Sequence, residues 1–525
     1  MTWPLAPEIT SSGRVDTNDG RQAIWTVAWV ARTLVVNPRE LFDANIFYPH
    51  RNTLAYLEPN IFVGVLAIPA YWATKNALFA YNVVALLSFV LAQIGAFALV
   101  RHLTGSRAGA TVAGIGFGFC AYTFSHTAHS QLLMTAGLPF ALLAMHRYVE
   151  RPTTSRAIVL GLIVAAEALS CGYYGVFLGL MLVPGLLYYA FARGLWKQKR
   201  YWAGTLGAGL LAVLVVLPFL LPVVELQRST GFERSVQESL KWSATWRSYL
   251  ASPAHAHRWI LPWLGQWGEV LYPGTLAVVL GSAGLVLMWT RRRPAPDRAH
   301  VTYYTVLGVL AFWASLGPGA GLYAWLYSLV PVFSLLHAPS RLGLLVTLVL
   351  LVFAGYFVAH VTTGRRAPLI AASLALLSLG DLFVAPLRLT RAQPLPAAYE
   401  SLAKRPYGPV AEFPFFYRRV DYHRHAEYMF WSTYHWRPLV NGYTDYIPPD
   451  FREMTVPLSS FPNPESFKIL QRLRVRYVLF HLDLYSHQTA AGVKARIAEY
   501  GEYLRPIRTE ASVWLFEITG WPPPG

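Results

Sequence analysis

The sequence predicts an α-helical polytopic membrane protein of about ten transmembrane helices, with a C-terminal soluble α/β domain. Three observations carry this: long apolar stretches, Lys/Arg clusters at alternate ends of them, and an abrupt change near residue 390 to charged, Pro-rich sequence. Each stretch has 16 to 23 residues, about enough to cross roughly 30 Å of hydrocarbon with every backbone hydrogen bond made internally. Composition agrees, since 54% of the 525 residues are hydrophobic and 14% charged, whereas soluble domains carry about a quarter charged residues.

The stretches cover 79–100, 107–125, 131–147, 156–171, 174–192, 202–224, 273–290, 300–316, 342–361 and 367–387. Short connectors between them hold Arg101 and Arg107; Arg147, Arg151 and Arg156; Arg193, Lys197, Lys199 and Arg200; Arg291, Arg292, Arg293 and Arg298; and Arg365 and Arg366. The positive-inside rule puts these connectors in the cytoplasm. The opposite connectors 126–130, 172–173 and 317–340 contain no Lys or Arg. In connector 225–272, Arg228, Arg234, Lys241, Arg247 and Arg258 are nearly balanced by Glu225, Glu233, Glu238 and Glu269. The net charge of +17 is therefore topology, and it argues against a nucleic-acid partner. An even number of spans leaves both ends outside: 1–78 as an outward first loop with interfacial helices, 79–388 as the multi-span domain, and 389–525 as an extracytoplasmic α/β domain.

Smaller features follow. Cys120 and Cys171 fall inside spans and give neither a disulfide framework nor a zinc spacing. The lack of an internal repeat counts against a transporter built from inverted repeats. A polar outward start without a signal peptide leads us to expect a membrane helix upstream of this sequence. Segment 22–36, with Arg32 and with Trp25 and Trp29 one turn apart, reads as an amphipathic interfacial helix. Segment 61–74, short and containing Pro69, reads as interfacial or re-entrant. In the C-terminal domain, 409–413, 475–481 and 512–518 read as strands, while 395–403, 464–473 and 491–500 read as helices.

Candidate chemistry sits at the outer ends. The first loop holds Asp16, Asp19, Asp43, His50 and Glu58. Asp16 or Asp19, in a turn just before the interfacial helix, reads either as a helix N-cap or as a general base for an acceptor hydroxyl. His126, His129, Gln131, Tyr173 and Tyr174 lie at outer connectors. Glu167 lies within a span about one turn from its outer end, with His129 or Tyr173 as the expected partner. The two histidines lack a third ligand, so no metal is assigned to them. His337 and Arg341 stand where a span begins on the outer side; a guanidinium there suits a lipid phosphate or the headgroup layer. Trp242, Trp246, Trp259, Trp263 and Trp267 read as a sugar-stacking lid or as interface anchors. His423, His425, Glu427, His435, Asn441 and Asp445 make 423–446 an acceptor-binding segment or a structural one.

The chain resembles the integral-membrane GT-C glycosyltransferases, the superfamily of protein O-mannosyltransferases and lipid A aminoarabinose transferases. The resemblance is carried by the acidic first loop with its helix, the Glu58-Pro59 step into IFVGVLAIPAYW, and the run from ALFAYNVVALL to GFGFCAYTF. Similar bacterial proteins share the phrases LFDANIFYPH (Leu41 to His50) and WSTYHWRPLVNGY (Trp431 to Tyr443). It implies a bacterial inner-membrane enzyme that takes sugar from a polyprenyl-phosphate carrier in the lipid bilayer and passes it, with inversion, to a hydroxyl of a glycan, lipid or protein acceptor. It also implies an Asp of the first outward loop as base; by position this is Asp19, with Asp16 second. No cofactor is assigned, and a divalent metal is compatible with this chemistry. The chain departs from the pattern in lacking the first membrane helix and in spacing its acidic pair Asp-x-x-Asp. The competing class is a non-catalytic component or transporter in lipid-linked glycan and cell-envelope assembly.

Overall fold

The computed structural model describes every residue except 232, 291–294, 364, 510–511 and 524–525, so the basic cluster Arg291, Arg292 and Arg293 lies outside the described residues. In chain order, α1 is Asn18–Val36, α2 Ile61–Thr74, α3 Ala77–Thr104 and α4 Arg107–Gly118. Next come α5 Gly137–Glu150, α6 Thr154–Ser170, α7 Gly172–Ala192 and α8 Lys199–Thr230. Then follow α9 Thr275–Thr290, α10 Ala295–Ser315, α11 Gly343–Val361 and α12 Ala367–Asp381. The remaining helices used here are α13 Ala397–Ala403, α14 Ala426–Ser432, α15 Pro464–Arg472 and α16 His487–Glu499. The strands are β1 Ser12–Gly13, β2 Thr390–Arg391, β3 Val410–Phe413, β4 Tyr477–His481, β5 Leu504–Arg508 and β6 Val513–Ile518. The chain forms two compact units: one of Met1–Pro7, Asn60–Val63 and Val84–Arg388, the other of Glu8–Pro59, Gly64–Val83 and Leu389–Gly525.

The first unit is helical. Among the described residues, five stretches are long and apolar enough to cross a membrane: Ala77–Thr104, Arg107–Ser125, Gly172–Ala192, Lys199–Thr230 and Pro339–Val361. Such stretches stay helical because hydrocarbon offers their backbone groups no other partner. Polar residues mark their ends. Ser106 and Thr153 cap α4 and α6 by accepting from the Gly109 and Arg156 amides, and Gly231, at φ 65°, stops α8 in the left-handed region.

Two expected spans are broken. The stretch 107–125 is helical only to Gly118, then passes through extended backbone at Cys120 before a short helix, Ala121–Ser125. Gly114, Gly116 and Gly118 weaken this stretch but let it approach its neighbours: a Cβ at Gly118 would lie 2.1 Å from the Gln93 side chain. The stretch 131–147 gives a short turn, Ser130–Leu133, and then α5, which starts at Gly137. Pro139 fits only in a first turn, where its missing N–H is not needed.

Helix α11 is buried along most of its length, with α4, α9 and α10 packed around it. A Cβ on Gly284 would lie 2.0 Å from the Phe353 carbonyl oxygen, and one on Gly109 2.5 Å from that of Gly355. Small residues thus set the spacing of α9 and α4 from α11, as van der Waals packing in membranes requires.

The second unit joins the first loop to the C-terminal segment. Its sheet runs β3-β4-β6-β5, with β3 and β4 parallel and the other pairs antiparallel. Strands β3, β4 and β6 fall on the runs 409–413, 475–481 and 512–518, and α13, α15 and α16 overlap the three stretches with helical pattern. Beyond β3, Val410 bridges Leu439. The loop phrase 45–48 then pairs with 439–441: Leu439 N donates to Asn45 O at 2.9 Å, Tyr48 N to Leu439 O at 2.9 Å and Phe47 N to Asn441 O at 3.2 Å. Strand β1 pairs with β2.

The amphipathic reading of 22–36 is corrected by α1. It is buried almost all round and packs on α14, so Trp25 and Trp29 are core residues of this unit. Their indole N–H groups donate to Asn45 Oδ1 at 3.0 Å and Leu41 O at 2.8 Å, and buried indoles need such partners.

Candidate functional site

Within the helical unit, residues far apart in sequence converge on the start of α7. The Tyr173 hydroxyl accepts from the His337 amide at 2.9 Å and meets His337 Nδ1 at 2.8 Å. The Arg341 guanidinium lies over the Tyr173 ring, 4.2 Å from its centroid, and Arg341 Nε is buried with no hydrogen-bond partner among the described residues. Burial and the nearby charges of Arg234 and Arg341 hold His337 down to about 3, so its ring is neutral near pH 7. A neutral imidazole bonded through Nδ1 keeps its other nitrogen for a second partner.

The long connector 225–272 adds Glu269, which is 8% exposed. Its Oε2 lies 3.5 Å from His126 Nε2, while His126 Nδ1 lies 2.8 Å from Tyr122 O. Burial pushes the Glu269 carboxyl up, but the His126 hydrogen bond and the charges of His126, Arg341 and His129 outweigh it and hold the group below the usual carboxylate range. The connector is tied down where Trp242 O accepts from Ser340 N at 3.2 Å and where His255 N donates to Phe383 O at 2.9 Å. Trp259 and Trp263 stay 69% and 84% exposed. The result is a buried guanidinium on an aromatic face, with a carboxylate and two histidines beside it. Such a group binds an anion strongly, because little water competes for it.

Other expected residues take different parts. Glu167 is buried, but its Oε2 accepts from the Gly137 amide at 3.2 Å, which corrects the expected bond to His129 or Tyr173. Its Oε1 has no partner among the described residues. Tyr174 is fully buried, and its hydroxyl donates to Leu132 O at 2.8 Å and meets Tyr122 Oη at 3.0 Å, so it ties helices together. Gln131 sits half-buried in the turn Ser130–Leu133.

In the second unit the cap of α1 is Thr17, whose Oγ1 accepts from Gly20 N at 3.1 Å. Asp19 occupies the first turn behind it, where a helix N-terminus favours a negative charge. Asp16 pairs with Arg14 at 3.1 Å. Asp43 and His50 fasten the loop itself: Asp43 Oδ1 accepts from Asn52 N at 2.8 Å, and His50 Nε2 pairs with Asp450 at 2.9 Å. Glu58 lies just before α2. The first turns of α1 meet the C-terminal segment, where Gln22 Nε2 donates to Tyr443 O at 2.9 Å and Arg21 lies 3.4 Å from Glu427. Among the described residues, no three His, Cys, Asp or Glu side chains come together to hold a metal ion.

Two residues escaped the sequence reading. In the sequence Glu269 reads only as a charge that balances the connector 225–272, although an acid in so aromatic a connector is itself a signal. Asn45 stands within a phrase carried by the resemblance and was passed over as uncharged.

No family model and no curated protein matches the sequence. Among solved structures, the chain is similar to the archaeal oligosaccharyltransferase AglB from Archaeoglobus fulgidus in complex with an inhibitory peptide and a dolichol-phosphate. That similarity has 12% identity, covers 96% of this chain and 70% of the other, and has a TM-score of 0.49. The chain is also similar to ArnT from Cupriavidus metallidurans in the apo state, with 15% identity, 97% and 95% coverage and a TM-score of 0.41. The similarity extends to ArnT bound to undecaprenyl phosphate, with 14% identity, the same coverage and a TM-score of 0.41.

Proposed function

We propose that this chain is a membrane glycosyltransferase that moves a sugar from a polyprenyl-phosphate carrier to a hydroxyl acceptor on the extracytoplasmic side of a bacterial inner membrane. The ten-span topology belongs to this proposal, as does the outward placement of the C-terminal segment. The observation that carries it is Arg341: a buried guanidinium stacked on Tyr173, beside neutral His337, with Nε unused by the described residues. Arginine's planar fork pairs two phosphate oxygens at once, which suits the phosphate of a lipid-borne donor. The sequence resemblance supplies the donor class and the carboxylate of the first loop.

In this reaction the acceptor oxygen attacks the anomeric carbon from the face opposite the leaving group. The new C–O bond forms as the bond to the phosphate oxygen breaks. The bonding pair leaves with the polyprenyl phosphate, whose charge Arg341 offsets. Asp19, with Asp16 as the second candidate, takes the acceptor proton. Glu269 keeps Arg341 from being an uncompensated buried charge, and His129 and Glu167 shape the cavity.

Donor binding tests this directly. Labelled polyprenyl phosphate is expected to bind the purified chain, with Arg341→Gln weakening it by about 2 to 3 kcal/mol, roughly 30- to 150-fold, as for loss of a charged hydrogen-bond partner. Equal binding by wild type and Arg341→Gln contradicts the assignment of Arg341, and no binding by either favours the non-catalytic class.

A further inference from the structure

A second set of titratable side chains is buried in the helical unit, at the other end of α7 and about 24 Å along that helix from Tyr173. His146 of α5 is 1% exposed and His300 of α10 is 8% exposed. Their ring centroids lie 4.8 Å apart. His146 Nε2 bonds the Tyr304 hydroxyl at 2.9 Å. Arg193, just past α7, donates from Nη2 to His300 Nε2 at 3.2 Å, and His300 Nδ1 meets the Tyr189 hydroxyl at 2.9 Å. An imidazole that accepts on Nε2 carries its single proton on Nδ1, so this arrangement holds only for neutral His300.

Groups from the other packed helices face the pair. The His102 ring of α3 lies 6.5 Å from that of His146, and Glu150, at the end of α5, pairs with His102 at 3.0 Å. Tyr303 of α10 and Tyr356 of α11 face Tyr189. His146 Nδ1 and Arg193 Nε are buried with no partner among the described residues. Ionisable groups inside an apolar bundle are costly and mark function by default, and the proposed transfer uses none of these.

We infer that His300 and His146 form a proton-binding site that couples pH to the packing of α7 against α10. A proton taken from water onto His300 Nε2 turns that nitrogen from acceptor into donor. The Arg193–His300 bond is then lost, and two cationic groups face each other at hydrogen-bond distance. The bond from Nδ1–H to Tyr189 survives, so the change starts at Arg193. A proton taken first by His146 acts in the same direction, since the added charge faces His300 and Arg193. The site works as a latch: closed with neutral rings, opened by acid.

Hydrogen exchange on the full chain in micelles, at about pH 7.5 and in steps down to about pH 4, reads the opening once rates are corrected for intrinsic exchange. Peptides covering 186–194 and 298–306 are expected to exchange about tenfold faster in acid, while those of α11 stay unchanged. His300→Gln can still accept from Arg193 but cannot gain the proton, and it is expected to reduce the response; His300→Gln combined with His146→Gln is expected to lose it. Arg193→Gln removes the opposing charge and is expected to reduce it. Equal corrected exchange in the wild type overturns the inference, as does a full response retained when His300→Gln and His146→Gln are combined. If no variant elutes as a folded species, the wild-type comparison against α11 decides alone.

Discussion

Glu412, fully buried on β3, accepts on Oε2 from the Tyr399 hydroxyl and from His481 Nε2 at 2.7 Å, while Oε1 has no partner among the described residues. Burial raises this carboxyl above its usual range, and the opposing pull of His481 and Tyr399 does not cancel it. A carboxyl raised in the folded state binds its proton more tightly there than in the unfolded chain. Its contribution is therefore complete below the ordinary carboxylate range and is lost as pH rises through the folded value. Glu412→Gln removes that dependence. The wild-type melting temperature is expected to fall more steeply from pH 5 to pH 8 than that of Glu412→Gln, by roughly 2 to 4 °C for each kcal/mol involved; parallel profiles contradict the assignment. The sequence showed Glu412 only as one residue of a strand, because its partners Tyr399 and His481 come from elsewhere in the chain. Tyr173, His337 and Arg341 were each legible as polar residues at span ends. Their stacking was not, since 164 residues separate Tyr173 from His337. Glu167 was legible as a buried acid, but its partner is a backbone amide freed by the late start of α5, a detail set by the backbone.

Helix α1 shows where periodicity fails. An amphipathic pattern was expected, yet the helix is enclosed by the first loop and α14, so its faces are not sorted by solvent. Asn45 is the buried joint: it accepts from Trp25 Nε1 at 3.0 Å and donates to Ser432 Oγ at 3.2 Å and Arg437 O at 3.0 Å. Asn45→Ala leaves three groups without that partner, and buried unsatisfied groups cost about 1 to 3 kcal/mol each. The variant is expected to lose about 3 kcal/mol in denaturant unfolding followed by tryptophan fluorescence. A loss under about 1 kcal/mol would show that the loop and α14 hold together without it. The apolar helices were easier to read, because a long apolar run has few structural solutions other than a helix. Their breaks at Phe119–Cys120 and before Gly137 depend on glycine and proline acting against neighbours.

At the scale of the molecule, the division into apolar helices and a C-terminal sheet segment was legible from composition alone. The joining of Glu8–Pro59 to Leu389–Gly525 in one unit was not, because pairing between distant segments leaves no local pattern. The proposed sidedness rests on the basic connectors and is open to test. Cys120 and Cys171 are both buried, so cysteines placed at exposed positions give the signal. Arg418→Cys is expected to react with an impermeant maleimide in intact spheroplasts, and Arg151→Cys only after permeabilisation; the reverse pattern overturns the topology.

The central claim is sugar transfer, and the most direct measurement is transfer of labelled sugar from a panel of polyprenyl-phosphate sugars to membrane acceptors. It compares wild type with Asp19→Asn and Asp16→Asn, with donor binding measured on the same samples. Wild type is expected to transfer sugar, Asp16→Asn to change little, and Asp19→Asn to lose about 100-fold or more with donor binding intact, as for removal of a general base. Transfer retained by Asp19→Asn would contradict the assignment of the base, and donor binding without transfer to any acceptor would contradict the enzyme itself.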